Sequence, residues 1–282
     1  MDELWKRHLA EQKMLGRPPT EKPRVILEGS NDAIIMNSFP DSKSYFIQYV
    51  SHSHGFNNKQ TVINFTAKST KSGYTKSTLG IVDMDHDYDG KLLKKSIENY
   101  CKELSIDFDR VDTFVKDTRE MSCLFSLVSN LIGDKFSWMK KLQTDLLLPS
   151  SWNTEYSIVV AIAKFRTYLH FDYHSGKLKH KDIPLDAYES TNKSSRGISF
   201  NLWMDLFLKY KSESNLVYLN DHCLEATIHD YIIESNNLSI NRINLQRINS
   251  VVRKRLCQTI KENQLTMKDV LNHINASEIF SV

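Results

Sequence analysis

An apolar run ends in a cluster of acidic residues at positions 79–87, which read LGIVDMDHD. Residues Leu79–Val82 are typical of a buried strand, and Asp83, Asp85 and Asp87 follow at alternate positions. Because side chains alternate along an extended chain, these aspartates are expected to point the same way. Two carboxylates about 4 Å apart repel by roughly 4 kcal/mol at an effective dielectric near 20. Such a cluster needs solvent or a cation, and oxygen ligands at a strand end suit Mg²⁺ or Mn²⁺.

A second apolar run also ends in acidic residues. Residues Arg24–Leu27 are typical of a short buried strand, and Glu28 follows directly, with Asp32 about one helical turn later. In a parallel α/β sheet the carboxyl ends of the strands lie along one edge, where ligands usually bind. We therefore expect Glu28 and Asp83 to meet at this edge, although they are far apart in the chain.

Short apolar strands alternate with amphipathic helices up to about residue 135, which indicates an α/β fold with a largely parallel sheet flanked by helices. The other elements predicted in this region are strands at Tyr45–Val50, Thr61–Phe65 and Val111–Val115, a helix at Lys91–Leu104, and a turn at Lys116–Glu120 leading into a helix that ends near Ile132. The turn would bring Asp117 and Glu120 to the sheet edge where Glu28 and Asp83 are expected to meet.

Beyond residue 135 the apolar residues repeat at helical spacing, and Thr266 to Asp269 resembles a capping box that opens a last helix. We therefore predict three parts. They are an N-terminal helical extension (1–22), an α/β catalytic domain (23–135) and a mainly helical C-terminal domain (136–282).

The composition excludes several classes of protein. Lys plus Arg number 37 and Asp plus Glu number 34, so the net charge of +3 argues against a histone-like polycation. The chain has only 9 Gly and 6 Pro, too few for a low-complexity chain. The 4 cysteines are far apart and are expected to be free thiols. The N-terminus lacks the apolar region of a signal peptide and no apolar run is long enough to span a bilayer, so we expect a cytoplasmic protein without a membrane partner.

Other chemical motifs fit the sequence less well. A calcium EF-hand framed on residues 85–96 has Ser96 where a bidentate Glu is needed. A haloacid-dehalogenase-like phosphatase also begins with a strand and two spaced aspartates, but it leaves Glu28 without a role. His170 and His174 lack the Glu of the zinc-protease motif and are expected to be an ordinary helical pair. For the run of aspartates taken by itself, a solvated acidic turn is the alternative interpretation.

Two stretches are candidates for binding nucleic acid. The segment Ser42–Val82 contains no Asp or Glu, and its lysines, including Lys68, Lys71 and Lys76, would attract the phosphate backbone. Its aromatic residues either stack on unpaired bases or belong to the core; they are Tyr45, Tyr49, Phe56, Phe65 and Tyr74.

The second stretch is a C-terminal helix. Arg247, Lys254 and Lys261 repeat every seven residues, with Arg253 and Arg255 beside them. The alternative to nucleic-acid binding is a solvated or partner-facing helix surface.

The two acidic strand ends resemble the signature of the Toprim family, which includes topoisomerases, primases and the overcoming-lysogenization-defect nucleases. The resemblance lies in Val25–Gly29 followed by Ile81–Asp85. It implies that Glu28, Asp83 and Asp85 are catalytic and bind Mg²⁺ or Mn²⁺. It also implies that Asp32 corresponds to the second acid of the nuclease branch. Asp87 and Glu120 are further candidate metal ligands at this edge.

Over roughly residues 23–190 the chain is most similar to one Toprim group, the AriB family of effectors from the PARIS anti-phage defence system. The matching residues are 28–32, 80–85, 116–121 and 161–166. This resemblance implies a toxic ribonuclease acting on tRNA, restrained by an ABC-type ATPase partner, in an abortive-infection response. The alternatives are a DNA endonuclease of the lysogenization-defect type, or a non-catalytic Toprim module that docks on an ATPase. Whether the chain forms a homodimer is left open.

Overall fold

A computed structural model gives the fold of the chain. It describes residues 22–50, 58–72, 78–84, 91–103, 118–121, 123–133, 136–176, 178, 180–194, 198–211, 219–236 and 245–280. The chain divides into two compact units. The first joins Met1–Met121 to Ile260–Val282, and the second is Ser122–Thr259. The three-part division made from the sequence stays a prediction.

A parallel sheet forms the centre of the first unit. Within the described residues it has four strands in the order β2-β1-β3-β4, and every neighbouring pair is parallel. The strands are β1 (Arg24–Leu27), β2 (Phe46–Tyr49), β3 (Thr78–Asp83) and β4 (Thr118–Met121). All of β1 is buried and β3 is buried up to its last residue, as expected for a sheet covered on both faces. The predicted α/β fold with a largely parallel sheet is confirmed.

Helices flank the sheet in the first unit. They are α1 (Ser30–Met36), α2 (Asn58–Ser72) and α3 (Lys91–Glu103). The predicted helix at Lys91–Leu104 is confirmed by α3. Helix α1 begins directly after Gly29, whose backbone is extended and which supplies no side-chain cap. The sheet edge and the first turn of α1 are therefore only a few residues apart.

The prediction of a strand at Thr61–Phe65 is wrong, because this stretch lies inside α2. Its β-branched residues favour a strand when judged locally. As a helix, the segment contributes Val62 and Phe65 to one apolar cluster and Ile63 and Ala67 to another. Val62 and Phe65 are three residues apart and share one side of a helix, whereas in a strand they would lie on opposite faces.

The register of the sheet corrects the prediction made for residues 116–120. Thr118–Met121 forms strand β4 where the sequence predicted a turn, and it pairs with β3 from Gly80 to Asp83. The polar composition of these residues suggested a turn, but the unpaired side of the buried strand β3 needs a hydrogen-bonding neighbour. The strand predicted at 111–115 lies outside the described residues.

The second unit and the C-terminal segment are built from helices, which confirms the prediction of a mainly helical C-terminal part. The helices are α4 (Leu124–Ile132), α5 (Leu142–Leu146), α6 (Trp152–His174), α7 (Leu185–Glu189), α8 (Phe200–Tyr210), α9 (Asp221–Ser235), α10 (Leu245–Glu262) and α11 (Met267–His273). The capping box predicted at Thr266 and Asp269 is present at the start of α11. The cysteines are free thiols, as predicted. Among the described helices, none combines the length and the hydropathy that crossing a bilayer requires.

Arg166 forms a buried polar centre in the second unit. Its side chain is fully buried on α6, and its Nη1 lies 2.7 Å from Oδ2 of Asp230 on α9. The guanidinium also donates hydrogen bonds to backbone carbonyls of the segment 190–193 and lies over the ring of Trp203 at 4.5 Å. One buried charge therefore ties two helices and a connecting segment together.

Candidate active site at the sheet edge

The carboxyl ends of β1 and β3 bring two predicted site residues into contact. These strands are neighbours, and Leu27 pairs with Ile81, so Glu28 follows β1 next to the end of β3. The backbone N–H of Asp83 donates a hydrogen bond of 2.7 Å to Oε1 of Glu28, across 55 positions of sequence. Residues 28 and 83 therefore meet at this edge, through the backbone amide of Asp83.

Asp32 lies beside the same strand end. It belongs to the first turn of α1, where a negative side chain is favoured by the helix dipole. A Cβ added to Gly29 would lie 3.0 Å from Oδ2 of Asp32, closer than side chains normally approach. Glycine at position 29 therefore leaves room for the Asp32 carboxylate beside the backbone of residue 29.

The acidic residues of this edge differ in exposure. The side chain of Asp83 is exposed, whereas Glu28 and Asp32 are half-buried. An exposed carboxylate is accessible to a substrate, and a half-buried one is held more firmly in position. The edge therefore carries one exposed carboxylate at the end of β3 and two half-buried carboxylates between the end of β1 and the first turn of α1.

Other predicted acids at this edge are only partly covered by the structure. Asp85 and Asp87 lie outside the described residues. The chain continues the sheet as far as Met84, whose N–H donates to the carbonyl of Met121 at 2.9 Å. Glu120 lies within β4, and its position in the register is opposite Val82. Its proposed role as a metal ligand stays a prediction.

The donor chemistry of the edge fits a divalent metal ion such as Mg²⁺, because carboxylate oxygens are the ligands that such ions prefer. Glu28, Asp32 and Asp83 supply oxygens of this kind. In the part of the chain that the structure describes, however, no three His, Cys, Asp or Glu side chains are grouped closely enough to form a metal site. The binding of a metal at this edge stays a prediction.

Much of the basic segment before β3 is helical. Lys68 and Lys71 lie in the C-terminal half of α2, and Lys76 lies outside the described residues. Phe65 is 6% exposed and packs in the core with Ile26. The interpretation of this aromatic residue as part of the core is therefore confirmed, and Phe65 does not stack on bases.

The basic run on α10 separates into two kinds of residue. Arg247 and Lys254 are exposed. By contrast, Arg253 donates to Glu225 at 2.8 Å, and Arg255 makes two hydrogen bonds of 2.6 Å to Asp145. The two arginines hold neighbouring helices in place, whereas Arg247 and Lys254, like Lys261, are exposed.

Sequence reasoning missed the backbone contribution at the site. It identified the Asp83 side chain, but it gave no indication that the Asp83 amide would orient Glu28. The register of β1 against β3 predicts this contact, but the pattern of side chains in the sequence does not encode that register. Comparisons with protein-family models, with curated proteins and with solved structures find no match to this chain.

Proposed function

We propose that this chain is a divalent-metal-dependent phosphodiesterase that cleaves nucleic acid at the edge formed by β1 and β3. The observation that carries the proposal is the hydrogen bond from the Asp83 amide to the Glu28 carboxylate. It brings together two acids from strand ends that are distant in sequence, at the edge where α/β sheets usually bind ligands.

Glu28 and Asp83 would hold the metal together with Asp85 from the segment that follows β3, and Asp32 is a further candidate ligand. When bound, Mg²⁺ or Mn²⁺ stabilises charge on the transferring phosphate and lowers the pKa of an attacking water. The chain itself positions the ligands. The Asp83 amide orients one oxygen of Glu28, and the first turn of α1 carries Asp32 close to Gly29. Asp83, which is exposed, is accessible to the phosphate of an incoming strand.

We favour tRNA as the substrate and a role as a toxic effector restrained by an ATPase in anti-phage defence. Both rest on the resemblance to the AriB family. Cleavage of DNA is the alternative within the same chemistry, because a metal site of this kind acts on any phosphodiester. The exposed Arg247 and Lys254 would contribute to the attraction of the phosphate backbone.

The first test incubates the purified full-length chain with total tRNA, single-stranded DNA and duplex DNA, each with Mg²⁺, with Mn²⁺ and with EDTA. We expect cleavage of one class of nucleic acid that depends on the metal. Cleavage of DNA alone would support the lysogenization-defect alternative. Absence of cleavage under all conditions, together with absence of metal binding by calorimetry, would contradict the proposal.

Glu28→Gln is the sharpest variant, because glutamine keeps an oxygen that accepts the Asp83 N–H and removes only the charge. We expect Glu28→Gln and Asp83→Asn each to lower the cleavage rate by roughly a hundredfold or more, as loss of a catalytic electrostatic contact does. Asp186→Asn is the matched control, because Asp186 is an exposed acid in the first turn of α7. Full activity in Glu28→Gln would show that Glu28 serves only as a hydrogen-bond acceptor.

A further inference from the structure

The second unit contains a cavity of about 400 Å³ between the start of α6, the start of α8 and the end of α9. This volume falls within the range of about 300 to 1,000 Å³ that is common for small-molecule sites. Part of the wall is apolar and is formed by Ile158, Phe200 and Met204. Two carboxylates, those of Glu155 and Glu234, also line it.

Both carboxylates are held in position by neutral donors. The hydroxyl of Tyr231 donates to Oε2 of Glu155 at 2.6 Å, and Nδ2 of Asn201 donates to Oε1 of Glu234 at 2.6 Å. Burial, followed by the hydrogen bond to Glu155, raises the pKa of Tyr231 to about 12, so this hydroxyl remains a neutral donor at physiological pH. Among the described residues that line the cavity, none carries a positive charge.

Two aromatic residues, Phe200 and Tyr231, form another part of the wall. The rings of Phe200 and Tyr231 are 5.3 Å apart in an edge-to-face arrangement, and Trp152 packs against Tyr231 at 5.1 Å. Tyr231 is buried and its ring is therefore rigidly placed. The rings therefore give the cavity a fixed apolar surface beside the two carboxylates.

The helix ends around the cavity do not favour an anion. The N-terminus of α6 has Glu155 in its first turn, and the hydroxyl of Ser199 caps the N-terminus of α8. The C-terminal end of α9, which carries Glu234, contributes negative partial charge from its carbonyls. A phosphate or a carboxylate would therefore be repelled by the side chains that line this space.

From these contacts we infer that the cavity binds a primary alkylammonium group carried on an aliphatic chain. The ammonium lies against the Glu155 and Glu234 carboxylates, and the methylene groups lie against Ile158 and Met204. A free polyamine and a lysine side chain share this chemistry. The inference is independent of the phosphodiesterase proposal, because it concerns other residues and another ligand.

The test titrates cadaverine and N-acetyl-lysine amide into the full-length chain by calorimetry, with 1,5-pentanediol as the neutral analogue. We expect saturable binding of at least one amine, weakened by NaCl, and no binding of the diol. Tighter binding of cadaverine indicates a free polyamine, and tighter binding of the lysine derivative indicates a protein side chain. Equal binding of the diol, or no binding of either amine, would overturn the inference.

Two isosteric variants make the test specific to the cavity. Glu155→Gln and Glu234→Gln keep oxygens for Tyr231 and Asn201 and remove one charge each. We expect each to weaken amine binding by roughly tenfold or more, which is the effect of losing one charged hydrogen bond. Glu189→Gln, an exposed acid on α7, is the control and should bind normally. Unchanged affinity in both cavity variants, or displacement of the amine by Mg²⁺ at equal concentration, would also overturn the inference.

Discussion

The acidic sheet edge of the first unit and the Arg166 centre of the second unit use ionisable side chains in opposite ways. Arg166 is fully buried and contacts Asp230, whose side chain is 3% exposed. At the sheet edge, Asp83 is exposed and Glu28 is half-buried, and the contact between them runs through a backbone amide. The first arrangement neutralises charge in the interior, and the second presents charge to solvent.

This contrast separates residues that maintain the fold from residues that are available for chemistry. A charge removed from water must be paired and hydrogen-bonded, so losing one partner of a buried pair leaves an uncompensated charge. An exposed carboxylate stays solvated whether or not its neighbours are present. We therefore expect substitutions at the Arg166 centre to change the free energy of unfolding, and substitutions at the sheet edge to change activity.

The largest expected effect on stability is that of Arg166→Met. Loss of the guanidinium leaves Asp230 buried without its cation and should lower the free energy of unfolding by about 3 to 5 kcal/mol. Denaturant unfolding measures the loss. The control is Lys209→Met, which removes a cation from an exposed pair with Asp182, and it should not shift the midpoint measurably. Equal losses in both variants would contradict the distinction between buried and exposed charge.

The next effect is a dependence of stability on pH caused by His229. Burial, and then the nearby Arg166, lower the pKa of His229 from 6.5 to about 4. Between these values the unfolded chain binds more protons than the folded one. The contribution of His229 to stability is therefore complete above pH 6.5 and is lost as the pH falls towards 4.

Unfolding midpoints measured from pH 7 to pH 4 test this effect. The midpoint of the unmodified chain should fall over this range, and that of His229→Gln should fall less. If the two chains lost stability in parallel, His229 would not be the group responsible.

A smaller effect is expected at the start of α11. The Thr266 hydroxyl accepts the N–H of Asp269, and the Asp269 carboxylate accepts the N–H of Thr266. Thr266→Ala removes half of this capping box and should cost about 1 kcal/mol in denaturant unfolding. Thr144→Ala, at an exposed position of α5, is the control. A loss no greater than that of the control would show that the cap contributes nothing measurable.

The smallest effect is expected for Glu28→Gln. Because glutamine still accepts the Asp83 N–H, the free energy of unfolding should change by no more than about 0.5 kcal/mol. Thermal and denaturant unfolding both measure it. A loss of several kcal/mol would show that Glu28 stabilises the fold, as Arg166 is expected to do. It would contradict the contrast between the two regions.

The sequence predicts the part of the candidate site that is formed by acidic residues directly after two apolar strands. An apolar run followed by Glu28, and another followed by Asp83, were enough to expect a meeting at one edge of a parallel sheet. The segment at 61–65 shows where this reasoning fails. Its β-branched residues satisfy the local pattern of a strand, and its packing on two apolar clusters as a helix is visible only in the folded chain.

The local sequence determined the helical spacing of apolar residues, the capping box and the two acidic strand ends, because each depends on residues that are near one another in the chain. Contacts between distant residues decided the rest. They made Thr118–Met121 a strand by pairing it with β3, and they distinguished Arg166, which is buried with Asp230, from Lys254, which is exposed. The reason is that burial and strand pairing depend on which surfaces meet after folding, and composition alone does not specify the partner.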